Sequence, residues 1–271
     1  MILLVFIISC TQNSDNRISE KMEVEMAPIP NDAVIDYLEA PPHTSETKNH
    51  WTIVWSDEFH YEKSLTNWNI QDWSSLKLNE WQYYSAENVK VKNDVLIIES
   101  KKERFKGRES TSGAITTEKL FEFTYGKIEI KAKIPSGQGV FPAFWLVNSD
   151  NDNWLPEIDI MENLGQHPNE LWFVVHWKDS TGKKMRDCLH YKSMDIDFST
   201  DFHVYGLIWE EDKITWTIDG LSVFETVQFS PDEPLFIYVN TAIGGNWPGN
   251  PDLSDDYPKE LLIDYVRVYS K

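Results

Sequence analysis

The chain has 271 residues, 41% of them hydrophobic and 13% aromatic, which is enough apolar material to bury one large core or two small ones. Its 44 acidic against 25 basic residues give a net charge of −19, which argues against a nucleic-acid surface and for a neutral or sparsely charged partner. Twelve tryptophans and eleven tyrosines suggest a groove that stacks on flat ligand faces such as pyranose rings.

Met1 to Ser9, MILLVFIIS, is too short to span a hydrocarbon core of about 30 Å as a helix. Its end, Ile7-Ile8-Ser9-Cys10, resembles the lipobox of bacterial lipoproteins, in which cleavage makes the cysteine the new N-terminus and acyl chains are attached to it. Residues 1–10 are therefore expected to be a lipoprotein-type signal segment with Cys10 lipidated. The protein is then a cell-envelope lipoprotein of the outer membrane or cell surface, touching the membrane through its anchor only, and otherwise a secreted one. With Cys10 modified, Cys188 is left without a partner for an intramolecular disulfide and is expected to be a structural thiol. Residues 11–50 are polar and acidic, with Pro28, Pro30, Pro41 and Pro42, as in a flexible spacer. A single domain, expected as a monomer, follows over 51–271.

From Trp51 the chain is a succession of short β-type runs. Val89-Lys90-Val91 and Val95-Leu96-Ile97-Ile98 come first. Lys127 to Ile134, KIEIKAKI, alternates polar and apolar residues with the two-residue period of a half-buried strand. Asp212-Lys213 and Asp219-Gly220 bracket Ile214–Ile218 as hairpin turns bracket a strand. No helical periodicity of comparable strength and no βαβ unit appears. The fold class predicted is all-β, a concanavalin-like jelly-roll sandwich.

Three acids fall within six residues in Glu157-Ile158-Asp159-Ile160-Met161-Glu162. On a regular strand Glu157 and Asp159 share a face while Glu162 points away. One extra residue in a β-bulge at Ile160-Met161 returns Glu162 to their side. Three carboxyls facing one groove cannot all ionise near neutral pH, which is the division of labour between nucleophile and acid in a retaining glycosidase. Taken alone, the same spacing also fits a solvated acidic strand or a cation site.

The run EIDIME stands among NEWQYYSAENVKV, TYGKIEIKAKIP, GVFPAFWLV, NTAIGGNWPGNPD and IDYVRVYS. These six co-linear blocks, from about Trp51 to Tyr269, resemble glycoside hydrolase family 16, the laminarinase-like β-glucanases, in the version with a bulged motif. The resemblance implies a curved jelly roll with a substrate cleft on its concave face. It implies Glu157 as nucleophile, Glu162 as acid then base, and Asp159 as the group that tunes Glu157, without a cofactor for catalysis. The substrate implied is a polysaccharide, first a 1,3-β-glucan. Mixed-linkage glucan, an agar- or carrageenan-type galactan and a bacterial exopolysaccharide are alternatives, as is a non-catalytic surface glycan-binding protein.

By the same resemblance, His176 faces the cleft beside the cleavage point, and Trp154 and Trp247 pack on sugar rings. Asn240 bonds sugar hydroxyls, while Glu80 and Trp145 are further cleft candidates. Gly244 and Gly245 are expected in a tight turn. Asp264 matches a family position that contributes to a structural calcium site. The chain departs from the laminarinase pattern at Phe141, where a Trp is usual, near Ala114, where an Arg is usual, and before Glu157, where a small-residue insert is missing.

Overall fold

The computed structural model describes residues 8–9, 51–74, 77–149, 154–252 and 254–271. The expected lipidation site Cys10 and the spacer 11–50 lie outside the described residues.

Fourteen strands carry the architecture described here: β1 (Thr52–Asp57), β2 (Val89–Lys92), β3 (Val95–Ser100), β4 (Ala114–Thr116), β5 (Gly126–Lys133), β6 (Val140–Asn148), β7 (Glu157–Glu162), β8 (Glu170–Lys178), β9 (Lys184–Lys192), β10 (His203–Trp209), β11 (Ile214–Ile218), β12 (Leu221–Thr226), β13 (Leu235–Ile243) and β14 (Lys259–Ser270). Helix among the described residues is confined to short 3₁₀ turns such as Glu62–Asn67. One sheet runs β9-β8-β7-β6-β13-β4, with Asn69–Ile70 beyond β4 and Ile8–Ser9 beside β9. The other runs β12-β11-β10-β5-β14-β3-β2, with β1 also on β14. Within both sheets the pairing is antiparallel; a short parallel pair, Gln82–Tyr84 with Ser110–Ser112, stands apart from them.

The all-β expectation holds, and the alternation that predicted it has a direct physical outcome. In β5, Ile128, Ile130 and Ala132 are fully buried, while Lys127, Glu129 and Lys131 between them reach solvent. Each buried Ile contributes about 1.5–3 kcal/mol relative to an exposed one. Together with Phe144, Leu146, Ile158, Phe173, Val175, Trp209 and Trp216 they form the core between the two sheets.

β13 departs from a half-buried pattern, since every one of its nine residues is buried. Leu235, Ile237 and Val239 enter the inter-sheet core, whereas Phe236 and Tyr238 join Tyr84, Ala114 and Val147 in a second cluster, with Trp73 and Trp145 packed against it. The outer face of the first sheet is therefore covered in part by aromatic side chains. That face carries the site.

Candidate active site

A cleft of about 1160 Å³ opens on the first sheet, lined by Glu80, Trp145, Trp154, Glu157, Asp159, Glu162, His176 and Asn240 among others. Eight side chains expected at the site from the sequence are thus brought to one surface. β7 supplies the three acids.

The bulge required of β7 is present. Trp145, Phe144 and Ala143 of β6 lie opposite Asp159, Met161 and Glu162, so Ile160 has no partner on that side. On the β8 side Asp159 faces Val174 and Glu162 faces Trp172, which leaves two residues of β7 between the pairs against one of β8. Ile160 and Met161 are both fully buried. The apolar pair therefore enters the core together, and the hydrophobic cost of exposing either one holds Glu162 on the cleft side. The carbonyl of Asp159, displaced from the regular ladder, accepts a 2.8 Å hydrogen bond from the indole of the fully buried Trp216 on β11.

All three carboxyls are held above their ordinary range. Burial raises Glu157 most, the charge of Asp159 raises it further, and Lys184 opposes. Asp159 is raised by burial and partly relieved by His176. Burial also dominates for Glu162, with Asp159 and Glu157 adding to the rise and Arg186 opposing it. Such a trio shares protons rather than ionising fully. His176, opposite Glu157 in the β7–β8 register, places Nε2 at 3.4 Å from Asp159 Oδ2 and 4.0 Å from Glu157 Oε1. Asp159 Oδ2 is buried without a formed hydrogen bond, so the His176 contact is electrostatic.

Aromatic groups flank the acids on both sides. On one, Trp145 lies between Trp154, at 5.4 Å and 14° between planes, and Tyr238, at 4.4 Å and 25°. Trp154 is 47% exposed, so this stack offers an open indole face. Trp145 donates to Asn240 Oδ1 at 2.9 Å, and Asn240 Nδ2 donates to the Tyr84 hydroxyl at 3.1 Å. Asn240 is thereby tied into the wall and buried, with only its remaining amide capacity left for a ligand. On the other side, Trp247 meets Phe141 at 5.3 Å and Trp172 at 5.1 Å, edge to face in both cases. Trp172 in turn stacks flat on His190 at 4.3 Å. Phe141, the departure from the laminarinase Trp, is thus part of this second platform.

Glu80 lines the cleft, accepts from Gln82 Nε2 at 2.7 Å and is raised by burial. Gly244 and Gly245 do serve a turn, with φ of +69° and +129°, and a Cβ on Gly244 would lie 2.5 Å from the Trp81 ring. Ala114 is fully buried on β4 opposite Asn240, where an arginine side chain has no room without repacking. Asp264 lies in β14 of the second sheet, and its Oδ2 accepts from Lys131 Nζ at 2.7 Å. Calcium takes six to eight oxygen ligands, of which Asp264 would supply one, and in this arrangement that carboxylate is paired with the Lys131 ammonium group. Cys188 is buried and forms no disulfide among the described residues.

Tyr84, Tyr238, Trp172 and His190 were not singled out from the sequence. Trp172 was within reach, because it lies four residues before His176 on the same strand and hence on the same face.

Comparison with known proteins agrees with this geometry. The pattern of Glycosyl hydrolases family 16 matches residues 79–267. A Beta-glucanase of Rhodothermus marinus is 32% identical over 83% of this chain and 87% of its own length. The laminarinase catalytic domain of Thermotoga maritima superposes with a TM-score of 0.74 at 34% identity, over 82% of this chain and 98% of that one. An endo-beta-1,3-glucanase of Pyrococcus furiosus does so at 0.72 and 33%, over 81% and 94%. The chain belongs to glycosyl hydrolases family 16 and is a glycosidase.

Proposed function

We propose that the enzyme cleaves internal bonds of a 1,3-β-glucan with retention, using Glu157 as nucleophile and Glu162 as acid and then base. The bulge that turns both glutamates to one cleft, with burial raising both pKa values, is the observation that carries this reading. The Glu157 carboxylate attacks the anomeric carbon while Glu162 gives its proton to the departing oxygen, leaving a covalent glycosyl-enzyme. Glu162, now ionised, takes a proton from water as that water attacks the same carbon, and the Glu157 ester bond breaks. Asp159, with His176 against it, keeps a proton or charge beside Glu157 and so adjusts when Glu157 ionises.

Aromatic platforms on both sides of the acids support binding of a chain that continues in both directions, as endo-cleavage needs. The choice of 1,3-β-glucan is supported by the named specificities of the Thermotoga and Pyrococcus relatives. Reducing ends released from laminarin, mixed-linkage glucan, agar, carrageenan and an exopolysaccharide test it. Cleavage of another polymer with none of laminarin would replace the substrate and keep the mechanism. Binding with no cleavage of any of them would leave a glycan-binding protein.

The motif Ile7-Ile8-Ser9-Cys10 supports a lipid-anchored envelope enzyme, and a monomer is the state proposed for it. Incorporation of a fatty-acid probe that is lost in Cys10→Ala, and a one-chain mass by sedimentation, test these two points.

A further inference from the structure

One strand of the cleft sheet runs against the charge balance of the whole chain. Pairing of β9 with β8 sets Lys184 opposite Lys178, Arg186 opposite His176, His190 opposite Trp172 and Lys192 opposite Glu170. Directly opposed residues share a face, and His176 faces the cleft, so these four basic residues of β9 face it too. The one acid of β9, Asp187, is on the other face, where it accepts from the Thr226 hydroxyl. In a chain of net charge −19, this concentration of positive charge on one strand face is local and directional.

The four are not equivalent. Glu170 holds Lys192 at 2.7 Å and His190 at 3.0 Å, which completes the platform under Trp172. Lys184 and Arg186 are exposed, and among the described residues neither has an ion-pair partner. Asp179, in the loop between β8 and β9, forms no ion pair with either, and its Oδ1 accepts from the backbone amides of Thr181 and Lys183. Both cations act through space on the acids, Lys184 on Glu157 and Arg186 on Glu162. Lys184 lines the cleft on the β9 side, beyond the acids, and Arg186 follows two residues along on the same strand face, while Glu80 makes the opposite wall acidic.

A neutral sugar hydroxyl gains little from an ammonium or guanidinium that water already solvates. A sulfate half-ester or a carboxylate gains charge-assisted hydrogen bonds, bidentate ones from arginine. We propose that the polysaccharide cleaved here carries sulfate or carboxylate substituents on sugars next to the scissile bond, and that Lys184 and Arg186 bind them. The orientation follows, with the substituents toward β9 and the uncharged edge of the chain toward Glu80. This rests on the hydrolytic reading given above and replaces the neutral partner suggested by the overall charge.

The test uses three polymers on one backbone: laminarin, sulfated laminarin and carboxymethylated β-1,3-glucan. Binding of the full-length Glu157→Gln protein is measured on each, beside the same protein carrying Lys184→Ala and Arg186→Ala. The expected result is tighter binding to one or both charged polymers at low salt, an advantage that fades toward 0.5 M salt as Debye screening requires, about a threefold to fivefold loss for either substitution and more for both. Which charged polymer binds better separates sulfate from carboxylate. Non-specific attraction cannot mimic this, because the whole molecule is negative and repels polyanions. Equal binding of neutral and charged polymers, or an advantage that survives the double substitution, would overturn the proposal. Wild-type protein releasing no reducing ends from any of the three would instead overturn cleavage of this backbone, and the binding contrast would still decide the role of the two cations.

Discussion

Trp216 of the second sheet donates its indole N–H to the backbone carbonyl of Asp159, at 2.8 Å, at the point where β7 leaves its regular register. A carbonyl turned out of its ladder into an apolar core needs a partner, and Trp216 supplies it. The bulge is thus held by the inter-sheet core as well as by its own two apolar residues.

Trp216→Phe removes that donor and keeps most of the ring. Stability is expected to fall by about 1–3 kcal/mol, the cost of an unsatisfied buried group. The placement of the acids should loosen with it, so kcat falls more than KM rises. Thermal melts and initial rates measure the two effects. A stability loss with kcat unchanged would mean that the bulge holds without the indole.

Glu157→Gln should reduce turnover by at least about a thousandfold while the polymer still binds, because the covalent step has no substitute in this cleft. Affinity electrophoresis in laminarin gels reads the binding.

The pH profile of kcat/KM should be bell-shaped, with both limbs displaced above the ordinary carboxylate range, because burial raises Glu157 and Glu162 alike. The limbs belong to the coupled trio rather than to single residues. In Glu162→Gln, assayed on an aryl glycoside whose leaving group needs no proton, the alkaline limb should disappear. Its persistence would remove Glu162 from the acid role.

The same shifts bear on stability. A carboxyl whose folded pKa is raised holds a proton that the unfolded chain has lost, so stability declines as pH rises from the ordinary carboxylate value through the raised one. Glu162→Gln should therefore melt higher than wild type at pH 7, by about 2–4 °C if about 1 kcal/mol is recovered, and the gap should close toward pH 4. Scanning calorimetry at the two pH values checks the sign.

Calcium should leave the melting temperature unchanged, because Asp264 is engaged by Lys131. A rise on adding calcium, abolished in Asp264→Asn, would show that the ion displaces the lysine.

Much of this site was legible in the sequence, for reasons of differing strength. Alternation in KIEIKAKI gave a strand because one face of β5 enters the core and the other meets water. The bulge was legible as a requirement, since the spacing of Glu157, Asp159 and Glu162 is odd at one step. Its support from Trp216 was not, because that contact joins residues 57 positions apart across two sheets. Asn240 was read as a sugar ligand, yet its amide is largely spent on Trp145 and Tyr84, a pairing that no local pattern encodes. The basic face of β9 was hidden by summing charge over the whole chain, where Lys184, Arg186 and Lys192 vanish among 44 acids.

The bulge also has a consequence for how such a motif can vary. Along a regular strand, parity decides the side on which a residue emerges, so a single inserted or deleted residue ordinarily inverts everything beyond it. At Ile160-Met161 the two neighbouring core-facing residues absorb the odd count. Loss of one of them would leave an evenly alternating strand with all three acids still on the cleft side and one fewer side chain in the core. A change of length that would scramble a regularly paired strand is, at this place, a change of packing volume.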